Sequence, residues 1–121
     1  MSSERAVKAK IRAAVKGRCY IQSMSSYATN GTPDLWCSGR HGDLWLEVKY
    51  DPKTVGAISP KLSTLQRKWL LDRHAEGRNV AVYVATSLKE GVVFRNGLLM
   101  GHRDERIPFT KAIDLLLDGV E

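Results

Sequence analysis

The sequence has few of the residues that build cross-linked or zinc-stabilised proteins. Its 121 residues include only two cysteines and three histidines, and neither type forms a closely spaced group such as Cys-x-x-Cys. This scarcity argues against a disulfide scaffold and a structural zinc site, and it predicts a reducing compartment. No apolar run approaches the roughly 20 residues needed to cross a bilayer, and the N-terminus lacks the apolar segment of a signal peptide. We therefore expect a cytoplasmic protein without a membrane partner.

Acidic residues are also in the minority. Thirteen Asp and Glu stand against nineteen Lys and Arg, which gives a formal net charge of +6 and a pI near 9.6. Such a balance favours a polyanionic partner, of which nucleic acid is the commonest soluble example. The length suits one ordinary domain, and no repeat, linker or low-complexity segment divides it. Residues 1–121 are therefore predicted to form a single domain.

The pattern of apolar residues predicts an α/β fold. Helices are predicted over 3–16, 62–77 and 108–119, and strands over 19–24, 34–38, 43–49 and 79–86, with a hairpin in 91–101 on an Asn96-Gly97 turn. The run "NVAVYVAT" is apolar almost throughout, which is typical of a strand buried on both faces. A helix connects the third and fourth strands. The order α-β-β-β-α-β, followed by a hairpin and a helix, therefore predicts a mixed central β-sheet flanked by helices.

Two carboxylates and a lysine interrupt the second and third strands. Alternate side chains of a strand share a face, so Glu47 and Lys49 point away from the face that carries Val48. If residues 39–42 form a four-residue turn, Asp34 lies opposite Glu47 in the neighbouring strand. Residues paired in this way have Cβ atoms about 4.5–5.5 Å apart, and their carboxylates repel each other unless a cation lies between them. Mg²⁺ takes one or two carboxylates plus waters and substrate phosphate, so the pair predicts a metal site with Lys49 beside a metal-bound water or the scissile phosphate.

A plainer interpretation of the same residues stays open. Glu47 and Lys49 would then form an exposed pair on a solvated strand face, and Asp34 would be a turn acid that follows Pro33. The Glu-x-Lys pattern is weak evidence by itself. Its combination with Pro-Asp on the neighbouring strand, a basic chain and a following helix favours the site.

These residues resemble the PD-(D/E)xK nuclease superfamily. The pattern stands as Pro33-Asp34, twelve intervening residues, and Glu47-Val48-Lys49. Within the superfamily the sequence is most similar to the VRR-NUC (virus-type replication-repair nuclease) family, which shows a glycine before Pro-Asp and Leu-Ser-x-x-Gln at the start of the next helix. Residues 62–66 match the second motif, whereas Gly31 departs from the first by one residue in spacing. The resemblance covers residues 31 to about 86.

The resemblance implies a restriction-endonuclease-like core and a role for each matched residue. Asp34 and Glu47 are the implied ligands of Mg²⁺ or Mn²⁺, and the backbone carbonyl of Val48 is a further ligand. Lys49 is the implied catalytic amine, and Gln66 is an accessory active-site residue. A solvated helix position is the plainer explanation for Gln66.

Residues on the first two helices are further candidates. In such families an acid on the first helix often joins the active site, and Glu4 is the candidate here, although a first-turn acid favoured by the helix dipole explains it equally well. Contacts to nucleic-acid phosphates are predicted for Lys8, Arg12, Lys61, Ser63 and Arg67. Such contacts strengthen binding without reading sequence, and a solvated helix face remains the alternative for each cation.

Together these features predict a metal-dependent endonuclease that hydrolyses DNA phosphodiester bonds. Single-domain members of the similar family include phage and bacterial enzymes that act on branched DNA such as Holliday junctions, and a phage-encoded member would act in the host cytoplasm. Cutting a two-fold symmetric junction needs two active sites, so we expect a homodimer. A weakly specific nicking or flap DNase is the alternative enzyme, with RNA as an open substrate. A non-catalytic nucleic-acid-binding module is the alternative outside the enzymes.

Overall fold

The computed structural model describes residues 3–24, 30–95 and 101–121. The elements in these ranges are α1 (Glu4–Val15), β1 (Tyr20–Ser23), β2 (Leu35–Ser38), β3 (Asp43–Tyr50), α2 (Thr64–Ala75), β4 (Val80–Ala85), β5 (Glu90–Arg95), β6 (Ile107–Pro108) and α3 (Phe109–Leu117). Their order confirms the predicted α-β-β-β-α-β core and the final helix. The predicted Asn96-Gly97 turn lies outside the described residues, and beyond it β5 pairs with β6.

The strands form a six-stranded mixed sheet in the order β1-β2-β3-β4-β5-β6. Neighbouring strands are antiparallel except β3 and β4, which run parallel. The parallel step exists because α2 carries the chain back to the edge where β3 begins. All six residues of β4 are buried, which confirms the prediction of a strand covered on both faces.

Separate apolar cores cover the two faces of the sheet. α1 and α3 pack on one face, which includes the alternate β3 residues Leu44, Leu46 and Val48. α2 packs on the other face, where Trp45 lies against a core that contains the buried Leu70. The alternation along β3 directs Trp45, Glu47 and Lys49 to one side of the strand, as predicted, and this side faces α2. None of the helices in the described ranges is long and apolar enough to cross a bilayer.

Candidate active site

The register of the β2–β3 hairpin brings the two predicted carboxylates together. Ser38 pairs with Asp43 and Trp36 with Trp45, and the backbone N–H of Gly39 closes the turn by donating to the carbonyl of Gly42 at 2.9 Å. This is the predicted register. Extended by one residue before the start of β2, this register sets Asp34 opposite Glu47.

Asp34 is tied to the third strand by one of its two carboxylate oxygens. The backbone N–H of Val48 donates to Oδ2 of Asp34 at 2.9 Å, while the carbonyl of Asp34 accepts a hydrogen bond from the N–H of Met24 at 2.7 Å. The side chain is 16% exposed. These bonds hold the carboxylate at the point where β2 begins, and they leave Oδ1 free for another partner.

Glu47 is a buried acid whose charge is incompletely neutralised. Its side chain is only 4% exposed. Oε2 accepts a hydrogen bond from Nε2 of Gln66 at 2.9 Å and lies 3.2 Å from Nζ of Lys49. Oε1 is buried and has no hydrogen-bond partner in the described part of the chain. Burial, followed by repulsion from Asp34, raises the pKa of Glu47 to about 7. The interpretation of Glu47 as one half of an exposed pair is therefore wrong.

Gln66 joins the predicted acid and amine through one side chain. Its Oε1 accepts hydrogen bonds from Nζ of Lys49 and from the backbone N–H of Ser63, both at 3.0 Å, while its Nε2 donates to Glu47. The hydroxyl of Ser63 in turn accepts from the N–H of Gln66 at 3.1 Å and completes a capping box. The Leu-Ser-x-x-Gln motif thus starts α2 and fixes the positions of Glu47 and Lys49 at the same time.

A glycine allows the segment before Asp34 to lie against α2. Gly31 has a φ of +81°, and a Cβ placed on it would lie 2.4 Å from the carbonyl oxygen of Leu65. A side chain at this position would therefore meet both backbone strain and a backbone clash. Gly31 consequently contributes to bringing Asp34 and Gln66 into one site.

The N-terminal helix adds a second lysine and a more distant acid. Ser3 caps α1 by accepting a hydrogen bond from the N–H of Ala6 at 3.1 Å. One turn into the helix, Nζ of Lys8 lies 3.6 Å from Oδ1 of Asp34 and 3.8 Å from Oε2 of Glu4. Glu4 is 47% exposed, and Lys8 is the group that connects it to Asp34.

The other predicted binding residues have different surroundings. Arg12 and Lys8 line one groove of about 550 Å³ between α1 and the sheet. Lys61 forms an ion pair with the buried Asp51 at 3.2 Å, whereas Arg67 is exposed on α2. Sequence reasoning missed Asp51. Asp51 comes directly after a strand, and nine residues separate it from Lys61, so no local pattern predicted the pair.

The oxygen atoms at the centre of the site fit a hard divalent cation. Oδ1 of Asp34, which Nζ of Lys8 approaches to 3.6 Å, and Oε1 of Glu47, which has no hydrogen-bond partner in the described ranges, are the carboxylate oxygens that could bind an ion. In a strand the N–H and C=O of one residue point to the same side, so the carbonyl of Val48 faces the side on which Asp34 lies. The described residues contain no group of three or more His, Cys, Asp or Glu side chains suited to a metal. Two carboxylates with a backbone oxygen nevertheless suit Mg²⁺ or Mn²⁺, which complete their shells with water and substrate.

The mixed six-stranded sheet with helices on both faces is a restriction-endonuclease-like α/β fold. Among solved structures, the chain is similar to Archaeoglobus fulgidus Hjc, a Holliday junction resolvase from an archaeal hyperthermophile. The TM-score is 0.58 with 16% sequence identity, and the match covers 97% of this chain and 92% of that chain. A likeness at this identity shows a shared fold. No protein-family model matches the sequence, and neither does any curated protein, so the VRR-NUC resemblance stays a prediction.

Proposed function

We propose that the protein is a Mg²⁺- or Mn²⁺-dependent deoxyribonuclease with a single nuclease domain over residues 1–121. The observation that carries the proposal is the buried Glu47, whose Oε1 has no hydrogen-bond partner among the described residues and whose neighbours are Asp34 and the ammonium group of Lys49. Burying a carboxylate with an unpaired oxygen is unfavourable, and a captured cation would remove the penalty. The restriction-endonuclease-like fold supports the same chemistry by analogy.

The residues of the site have distinct roles in phosphodiester hydrolysis. Asp34, Glu47 and the carbonyl of Val48 would hold the ion, which when bound activates water and offsets phosphate charge. The ammonium group of Lys49 points at the attacking water or the scissile phosphate, where negative charge increases in the transition state. Gln66 holds that ammonium in place, since its Oε1 accepts from Nζ at 3.0 Å. The N-terminal end of α2 adds a partial positive charge that favours the phosphate.

Branched DNA, such as a Holliday junction, is the proposed substrate. The net charge of +6 favours a polyanion, and Arg5, Lys8 and Arg12 line a groove that borders the residue after Asp34, Leu35. A phosphate backbone lying in this groove would lead towards the carboxylates. Each chain supplies one site, so symmetric cutting of a four-way junction calls for a homodimer.

Cleavage assays with Lys49→Ala test the proposal directly. The unsubstituted protein should cut a four-way junction faster than a flap or linear duplex, with Mg²⁺ or Mn²⁺ but not with EDTA. Lys49→Ala should lower the cleavage rate by about 10²–10³-fold, because a group that stabilises transition-state charge is removed, while its affinity for the junction stays within about twofold. The exposed Lys53 provides the control variant Lys53→Ala, which should cut normally.

The possible outcomes separate the proposed activities. Equal rates on all three DNAs would point to the weakly specific nicking or flap DNase. Tight binding without metal-dependent cleavage would identify a nucleic-acid-binding module and refute the enzyme. A sizing column with and without junction DNA would test the homodimer.

A further inference from the structure

Two lysines flank the carboxylate pair, and the structure holds them differently. Nζ of Lys49 lies 3.0 Å from Gln66 and 3.2 Å from Glu47, so a hydrogen bond and an ion pair fix its position. Nζ of Lys8 lies 3.6 Å and 3.8 Å from its two acidic neighbours, and it donates no hydrogen bond among the described residues. Only Lys8 is therefore free to leave its place at small energetic cost.

The ammonium group of Lys8 lies close to the position that a metal ion bound to Asp34 would take. Its Nζ approaches Oδ1 of Asp34, the oxygen that Val48 leaves free, because the N–H of Val48 binds Oδ2. An ammonium and a divalent cation at the same carboxylate oxygen repel each other strongly. The two cations therefore compete for Asp34.

We propose that Lys8 is an exchangeable counterion of the site. In the metal-free protein it neutralises Asp34, and when a divalent ion binds it moves away and becomes available to a DNA phosphate. Glu4, one helical turn earlier, remains beside it as a second partner. Arg5 and Arg12 line the same groove as Lys8, so a displaced ammonium stays next to the proposed path of the DNA backbone. This inference rests on the proposed metal-dependent function.

The exchange links metal binding to DNA binding. Metal binding releases Lys8 for a phosphate and so strengthens DNA binding. By thermodynamic reciprocity, bound DNA must strengthen metal binding by the same factor. If Lys8 competes with the metal, its removal should strengthen metal binding. If Lys8 merely supported Asp34, its removal would misplace a metal ligand and weaken metal binding.

Calorimetric titration with Mn²⁺ in the absence of DNA is the first test. Lys8→Met removes the charge but keeps an unbranched side chain suited to a helix. This variant should bind Mn²⁺ about fivefold more tightly, the factor expected for losing a competing ion pair of this exposure. Lys8→Arg should restore the affinity of the unsubstituted protein. Lys16→Met, at the other end of α1, is the matched control for loss of one positive charge and should stay within about twofold.

Junction affinity with and without Ca²⁺ at constant ionic strength is the second test, because Ca²⁺ takes the same oxygen ligands. Ca²⁺ should strengthen binding by the unsubstituted protein about fivefold more than binding by Lys8→Met. If Lys8→Met binds Mn²⁺ equally or less tightly, or keeps the full effect of Ca²⁺, the counterion exchange is refuted while the nuclease proposal stands. An unsubstituted protein that binds no Mn²⁺ even with junction DNA present would refute both.

Discussion

Raising the pH should destabilise the metal-free protein through one side chain, the buried carboxylate of Glu47. Its pKa of about 7 in the folded protein lies above the ordinary value of 4.5. Folding therefore favours the protonated acid. The penalty for burying the ionised form is absent below about pH 4.5, grows up to about pH 7, and is complete above it.

The size of this destabilisation follows from the shift in the pKa of Glu47. Moving the pKa of one carboxyl group from 4.5 to about 7 changes the free energy of unfolding by about 3 kcal/mol. Urea unfolding in EDTA should thus show the protein losing most of that stability between about pH 5 and about pH 8.

Glu47→Gln isolates the contribution of this residue. The amide carries no charge at either pH, so the variant should be more stable than the unsubstituted protein by about 3 kcal/mol near pH 8 and nearly equal to it near pH 5. Mn²⁺ should stabilise the unsubstituted protein, by about 2.7 kcal/mol at a concentration 100 times its dissociation constant, and should leave the variant little changed. The exposed Glu90 provides the control variant Glu90→Gln, which should keep the full pH dependence.

A stability difference between Glu47→Gln and the unsubstituted protein that does not change with pH would refute this reasoning. It would mean that Glu47 is ionised in the folded protein as easily as in water, and the unpaired Oε1 would then no longer call for a cation. Equal stabilisation of both proteins by Mn²⁺ would show that the ion binds elsewhere.

Two further substitutions test how the site is assembled. Gln66→Ala removes the acceptor that holds Nζ of Lys49 at 3.0 Å. The cleavage rate should therefore fall by about 10²-fold, while the affinity for the junction changes little. An unchanged cleavage rate would show that Lys49 needs no support from Gln66. It also removes one half of the capping box and should lower stability by about 1 kcal/mol. Gly31→Ala combines a positive φ with a Cβ only 2.4 Å from the carbonyl oxygen of Leu65. It should destabilise the protein in thermal unfolding by about 2–4 kcal/mol. Gly56→Ala is the matched control, since Gly56 has a φ of +84° and nothing within 4 Å of the added Cβ. It should lose only about 1–2 kcal/mol, and equal losses in the two variants would exclude the clash at Gly31.

The sequence was sufficient wherever short-range rules apply. The two-residue period of strands assigned Glu47 and Lys49 to one face, and a four-residue turn predicted the register that sets Asp34 opposite Glu47. The Leu-Ser-x-x-Gln motif at residues 62–66 predicted the start of the second helix, where Ser63 is the N-cap. These features depend on residues that are near in the chain or directly opposite in a hairpin. They can therefore be predicted from patterns in the sequence.

Only the tertiary structure decided how the predicted residues work together. Lys8 reaches Asp34 because α1 packs across the sheet, and no local pattern joins residues that lie so far apart in the chain. The side chain of Gln66 reaches Glu47 and Lys49 because α2 covers the opposite face. The sequence by itself determined which chemical groups the strands carry and in what order. Their burial, and with it the raised pKa of Glu47 and the ion pair between Lys8 and Asp34, arises from helices packed on both sides of the sheet.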